Sequence, residues 1–266
     1  VTRVDGETAR ELGEALPDHP FTFAARCLLL RNAATAWVRG SPPRFEGLVV
    51  QPPWLPTEPM AFGSSPDAIW ELLRGIPGWD CVNVPAELAP ALQGTIEREL
   101  GVPTRIHGDV YFLLEREAIR HSHPAVRRLN EDDAQLVDSA PPQLRTVGFS
   151  STVAALSGGV AAGGIVEGRL VSIVSMSASS EQFAEIGAHT LEAWRNQGMG
   201  TAAAYLVGDA VRSRGFVPVW STGEDNQRSQ RVARKVGFQE FGRKAYVIVP
   251  SLQSSGGFKP ERSSPE

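Results

Sequence analysis

Apolar positions recur along this chain with two periods, near 3.6 and near 2, and the changes of period predict alternating helices and strands. In the N-terminal half, ETARELGEAL and FTFAARCLLL read as helices, and ATAWVRG and EGLVVQP as strands. DAIWELLRGI reads as a helix with Asp67 at its N-cap, and CVNVP as a short strand. PAELAPALQGTIERELG reads as a helix with Pro85 early and Gly101 just past its end. GDVYFLLE (Gly108–Glu115) is a further strand. The C-terminal half is more regular. VRRLNEDDAQLVDSA passes from strand to helix with Asn130 as the cap, while PPQLRTVGFSSTVAALSGG carries no clear period. GGIVEGRLVSIVSMSA is a β-hairpin with Glu167-Gly168 at its tip, and FAEIGAHT (Phe183–Thr190) is the next strand. A helix follows with Met199, Ala203, Leu206, Val207, Ala210 and Val211 on one face, ending at Gly215. FVPVWST is a strand, NQRSQRVARKVGF a short helix stopped by Gly237, and AYVIVP the last strand. The succession β–α–(α)–β–β–β–α–β–α–β implies an α/β (α+β) fold, a sheet with helices packed on it.

The polar stretch REAIRHSHPA (Arg116–Ala125) divides the chain into an N-terminal α/β domain at 1–120 and a second domain at 121–250. The Ser/Gly/Pro-rich 251–266 reads as a flexible tail. His121 and His123 lie in the dividing stretch without a third ligand nearby, so they read as solvated side chains and no metal is expected. A hydrophobic content of 42% supplies a core, and the net charge of −4 argues against a nucleic-acid partner. Cys27 and Cys81 read as buried free thiols. No apolar run approaches the roughly 18 residues of a membrane span, and the charged first residues show no signal-peptide pattern. A cytoplasmic location without membrane contact is therefore expected. Trp37, Trp54, Trp70 and Trp79 are expected in the core or at a subunit interface, which admits a homodimer.

The octapeptide WRNQGMGT (Trp194–Thr201) directs attention to chemistry. Glycines that open a helix let backbone N–H groups approach an anion, aided by the positive end of the helix dipole. A nucleoside triphosphate is excluded because no GxxxxGK[ST] is present. A dinucleotide fits Gly198-x-Gly200-x-x-Ala203, with Glu224 as the later acid. It requires the strand to run straight into the first glycine, whereas roughly eight residues intervene here. The third candidate is the pyrophosphate of coenzyme A.

For that candidate a resemblance is specific. Arg195-Asn196-Gln197-Gly198-Met199-Gly200 fits [Q/R]-x-x-G-x-[G/A], and Val219–Thr222, Asn226, Ser229 and Gly237-Phe238 follow as strand, Asn and short helix. Residues from about 124 to 250 thus resemble the Gcn5-related N-acetyltransferase (GNAT) superfamily, and look closest to its glycine N-acyltransferase-like and FR47-like branch. The resemblance implies a mixed, mostly antiparallel sheet flanked by helices. By analogy of length and element types, it also implies a degenerate acetyltransferase-like N-terminal half. It implies acetyl-CoA as co-substrate, with Gln197, Gly198, Met199, Gly200 and Thr201 around the pyrophosphate and Arg195 as a phosphate partner. It further places the pantetheine arm between diverging fourth and fifth strands, on the backbone of Ala188, His189 and Thr190, with Asn226 and Ser229 as side-chain contacts.

Attack of an amine on a thioester requires a base. Glu185 and His189 lie four apart on one strand and so on one face, and are the candidates. Phe183-Ala184-Glu185-Ile186 also matches the family strand that carries a general-base Glu. Many family members carry an acid tyrosine where this chain has Ala233, so the acid is unassigned. The expected activity is transfer of an acetyl group to a primary amine of a small molecule, by direct attack in a ternary complex. A CoA-binding regulatory protein and an acyl-CoA decarboxylase on the same fold are the alternatives.

Overall fold

The computed structural model describes residues 3–250, so the expected tail at 251–266 lies outside the described residues. The chain forms two compact units. The first holds the chain up to Val110, Gly223–Asn226 and the stretch from Arg243; the second holds Tyr111–Thr222 and Gln227–Gly242. The division therefore falls inside a strand, ahead of the polar stretch at Arg116, and the chain later returns to the first unit.

The first unit opens with α1 (Gly6–Ala15), whose Asp5 cap accepts the Thr8 N–H at 2.8 Å, and α2 (Phe23–Leu30). Then come β1 (Thr35–Ser41), β2 (Arg44–Gln51), β3 (Met60–Gly63), α3 (Pro66–Leu73), β4 (Cys81–Pro85), α4 (Ala89–Leu100) and β5 (Arg105–Leu113). β1, β2 and β3 pair antiparallel, and β4 adds parallel to β3 through the single register pair Met60↔Asn83. Ile69, Leu73, Leu92 and Ile96 of the two helices pack with Val49, Val82 and Val84 of the strands in one apolar core. Trp37, Trp70 and Trp79 are buried in it, whereas Trp54 is exposed. The Trp79 indole donates to the Leu73 carbonyl, which satisfies its polar edge. Cys27 and Cys81 are buried and free.

Two expectations need correction here. The N-cap of α3 is Ser65, whose hydroxyl accepts the Ala68 N–H at 3.2 Å; Pro66 occupies the first turn, and Asp67 sits inside the helix. Pro85 closes β4 instead of opening α4, which carries Pro90 in its first turn. Strand β3 has only four residues, too few for a period to show.

The second unit contains β6 (Val126–Arg128), α5 (Ala134–Asp138), α6 (Thr152–Gly158), β7 (Ala161–Val166), β8 (Arg169–Ser179), β9 (Phe183–Thr190), α7 (Met199–Ser213), β10 (Val217–Gly223), α8 (Gln227–Val236) and β11 (Gln239–Ile248); the last residues of β10 and β11 belong to the first unit. β6, β7, β8 and β9 pair antiparallel in that order, and β10 adds parallel to β9. This is the mixed, mostly antiparallel sheet flanked by helices that the resemblance implies. Gly163 and Gly164 on β7 make close packing possible: a Cβ at 164 would press on Met199 of α7, and one at 163 on Leu129 and Leu170.

The entry to this unit is fixed by one carboxylate. Asn130 caps the 3-10 turn Glu131–Asp133, and Asp133 returns the contact by accepting the Asn130 N–H at 3.0 Å. Arg127 of β6 clamps the same carboxylate with two nitrogens, at 2.6 and 2.7 Å. These Arg127 bonds, outweighing burial, hold the Asp133 acid below its ordinary range. A depressed carboxylate stabilises the fold above the unfolded value of about 3.9 and loses that contribution as pH falls through the lower folded value. Asp133→Asn is expected to lower unfolding stability by about 1–3 kcal/mol at pH 7. In urea denaturation, its difference from the wild type should shrink steadily below about pH 4.

Candidate active site

The site is built where β9 and β10 part. Their parallel register runs Val217↔Phe183, Pro218↔Ala184, Val219↔Glu185 and stops there, although β9 continues to Thr190 and β10 to Gly223. The Val217 N–H donates to the Gln182 carbonyl, so even-numbered residues of this segment turn their backbone groups toward β10. The Leu191 N–H donates to Val171 of β8, which sets odd-numbered residues toward the opposite neighbour. Past Glu185, the backbone groups of Ile186 and Ala188 therefore face the widening gap. Gly187 and Ala188 are exposed there.

At the end of β9 the chain makes a 3-10 turn, Glu192–Trp194, and enters α7 through Gly198, whose φ of 87° lies in the left-handed region. No side chain caps α7, and the first helical bond runs from the Ala202 N–H to the Gly198 carbonyl. The N–H groups of Met199, Gly200 and Thr201 thus form the open donor end of a 15-residue helix. A Cβ on Gly200 would lie 3.2 Å from the Thr190 hydroxyl, which itself shares a 2.7 Å hydrogen bond with Ser172 of β8. Glycine at 200 lets the donor turn sit directly against the strand.

The sequence-derived residues sort as follows. Ala188 and Thr190 face the gap with their backbone, whereas His189 pairs with Ile173 and turns its backbone into the β8 ladder. Arg195 packs inward: its Nε donates to the Thr190 carbonyl at 3.1 Å, tying the turn to β9. Gln197 is exposed and its amide donates to the Ala193 carbonyl. The Ser229 hydroxyl accepts the Trp220 indole N–H at 2.9 Å, fastening α8 to β10. Asn226 is exposed in the turn before α8, with its N–H donated to the Gly223 carbonyl. Ala233 is fully buried in the face that α8 turns inward.

Glu185 and His189 do share a face of β9, opposite the buried Ala184 and Ile186. Gly187 lies between them on that face. Its φ is not in the left-handed region, and a Cβ there would meet nothing within 4 Å, so neither backbone strain nor packing requires a glycine. The glycine leaves space between the two polar groups. Ser177 of β8, a residue with no sequence signal, donates its hydroxyl to Glu185 Oε2 at 3.1 Å.

His121 and His123 are half-buried, not solvated as expected. His121 Nε2 meets the Lys235 carbonyl at 3.0 Å; His123 Nδ1 accepts the Ala125 N–H, and its ring lies beside Gly198. Among the described residues, no group of three or more His, Cys, Asp or Glu is arranged to hold a metal ion. No helix among them is long and apolar enough to cross a membrane.

Residues 148–248 match the family described as GNAT acetyltransferase. No curated protein matches the sequence. A GCN5-related N-acetyltransferase-like protein from Streptococcus suis 89/1591 superposes with a TM-score of 0.69 at 18% identity, covering 91% of this chain and 98% of that one. A GCN5-related N-acetyltransferase from Kribbella flavida gives 0.61 at 14% identity, covering 86% and 94%. A tandem GNAT protein from the clavulanic acid biosynthesis pathway gives 0.56 at 12% identity, covering 92% and 96%. The parting strands and the uncapped glycine turn therefore lie within the stretch that matches the GNAT acetyltransferase family, and the chain shares the fold of these solved structures. The superposed length extends that fold likeness into the N-terminal half.

Two substitutions test the turn. Gly198→Ala forces a side chain into the left-handed region and is expected to cost about 1 kcal/mol of unfolding stability. Gly200→Val should cost more, because its side chain must displace the Thr190–Ser172 pair. Chemical denaturation of the two variants measures both, and equal effects would contradict the packing argument.

Proposed function

We propose that this chain is an acyl-CoA-dependent N-acyltransferase, moving an acetyl group from acetyl-CoA to a primary amine of a small molecule. One observation carries the reading: a parallel strand pair that ends after three register pairs, beside a helix N-terminus with no capping side chain. The donor turn suits a diphosphate, since three N–H groups converge without a competing side-chain acceptor. The gap suits an amide-containing arm, because Ala188 lies past the last register pair with β10 and presents a strand edge, to which an extended ligand adds as a strand does. Gly198, Met199, Gly200 and Thr201 hold the diphosphate in this reading; Gln197 contributes its backbone and Arg195 braces the turn. Asn226 and Ser229 keep the pantetheine contacts that the resemblance assigns, Ser229 while also bonded to Trp220.

Acetyl-CoA supplies an activated carbonyl. The chain's own residues bring the acceptor nitrogen to it and remove a proton. Glu185 takes the proton of the incoming ammonium; the neutral amine then forms the C–N bond, its nitrogen releases a second proton to solvent, and the C–S bond breaks as the thiolate leaves on CoA. The backbone N–H of Ala188, aimed into the gap, is placed to stabilise charge on the carbonyl oxygen. His189, across Gly187 from Glu185, is the second polar group for the acceptor. Ala233 lies buried in the helix face, so departure of the thiolate draws its proton from solvent.

The burial of Ala233 also favours a second reading, a CoA-binding protein that does not turn over. Thiol release separates the readings. Acetyl-CoA with a panel of primary amines should release free thiol; malonyl-CoA without amine should release no carbon dioxide, against decarboxylation, which leaves the thioester intact. Saturable CoA binding with no release in either arm supports the binder. Absence of CoA binding overturns both.

Within the transferase reading, Glu185→Gln should lower kcat about 100-fold or more while leaving acetyl-CoA affinity unchanged in calorimetry. Gly187→Leu should raise KM for the amine and leave acetyl-CoA binding intact, because it fills the space between Glu185 and His189. An unchanged KM for the amine would refute that placement.

A further inference from the structure

Within their paired stretch, β8 carries one residue more than β9. Met176 pairs with Ile186 and Ala178 with Glu185, so Ser177 has no opposite number. Such a bulge costs ladder hydrogen bonds and re-aims side chains. Here it aims a nearly buried hydroxyl, 9% exposed, at Glu185 Oε2 from 3.1 Å.

The bulge is also built in from the other side. The chain before α6 passes Ser177 at Gly148, whose φ of 83° only glycine adopts without strain. A Cβ at 148 would fall on the Ser177 carbonyl oxygen. The turn Pro142–Leu144, which precedes this passage, packs on both β8 and β9. Two unrelated pieces of chain therefore hold Ser177 where it meets the carboxylate.

We propose that Ser177 is a positioning residue for Glu185, and that the bulge with Gly148 beneath it exists to hold that hydroxyl against the carboxylate. This rests on the reading of Glu185 as the base. A hydroxyl that donates to a carboxylate stabilises its charged form, so it keeps Glu185 ionised and fixes one oxygen while the base waits for the acceptor. Of the other ionisable groups near this face, the turn between β8 and β9 carries Glu181. β9 itself carries His189, β10 presents none beside Glu185, β8 only the distant Arg169, and Arg145 follows the 142–144 turn. α7 lies on the opposite face of β9, where it meets Thr190.

The test is a carboxyl-carbon NMR titration of full-length protein labelled at glutamate, with Glu185→Gln used to assign the signal. Ser177→Ala should raise the Glu185 midpoint by about one pH unit, and Ser177→Thr, which keeps the hydroxyl, should restore it. The acid limb of kcat/KM should move by the same amount, using acetyl-CoA and whichever panel amine releases most thiol. Gly148→Ala, which disturbs the bulge from below, should move both in the direction of Ser177→Ala. An unmoved midpoint in Ser177→Ala overturns the proposal. Failure of the base reading looks different: the midpoint shifts as expected, yet Glu185→Gln retains full thiol release.

Discussion

Everything at the candidate site depends on one broken ladder. β9 and β10 pair for three residues and then diverge, so that β9 is satisfied on its β8 side and open on the other. A strand edge left open inside a sheet costs free energy unless something covers it. The protein places that opening next to the donor end of α7, and in the proposed function the unpaired backbone groups there hold an extended, amide-bearing ligand. The glycines follow from this constraint. Gly164 and Gly200 let α7 sit low on the sheet, and Gly198 turns the chain into the helix at the height of the gap.

The two units run through the same succession of elements, yet only one keeps the donor end open. Three antiparallel strands, a helix, a parallel strand and a second helix occur as β1-β2-β3-α3-β4-α4 and again as β7-β8-β9-α7-β10-α8. In the first unit the matching helix starts with Ser65, Pro66 and Asp67. The serine hydroxyl occupies the Ala68 N–H, the proline has no N–H to offer, and the aspartate places negative charge where an anion would bind. Three adjacent residues thus separate a capped helix start from an open one on the same plan.

Legibility in the sequence followed the length of each signal. The bounds of β9 are readable to the residue, and α7 is readable as a helix from its long apolar stripe after the glycine pair. The donor turn was legible for the same reason. The N-cap of α3 was misread because Asp67 and Ser65 are both capping types, and only geometry shows that Ser65 holds the bond. β3 was too short to show a period, and the 142–158 region lacked one, because its chain turns through short pieces fixed by contacts with β8 and β9. Ser177 was invisible in principle. A bulge is a count mismatch between two strands, and neither strand alone records it. Arg195 carried the right motif position, but its bond to the Thr190 carbonyl follows from how the turn folds back.

That bond, together with the Thr190–Ser172 pair and the contact of Gly200 with Thr190, has a kinetic consequence. The donor turn is stitched to β9, and β9 to β8, before any ligand arrives. Ordering entropy is spent during folding, so association should proceed as a rigid encounter, with a rate set by diffusion and charge. Differences in affinity among ligands of this turn should then appear almost wholly in their residence times.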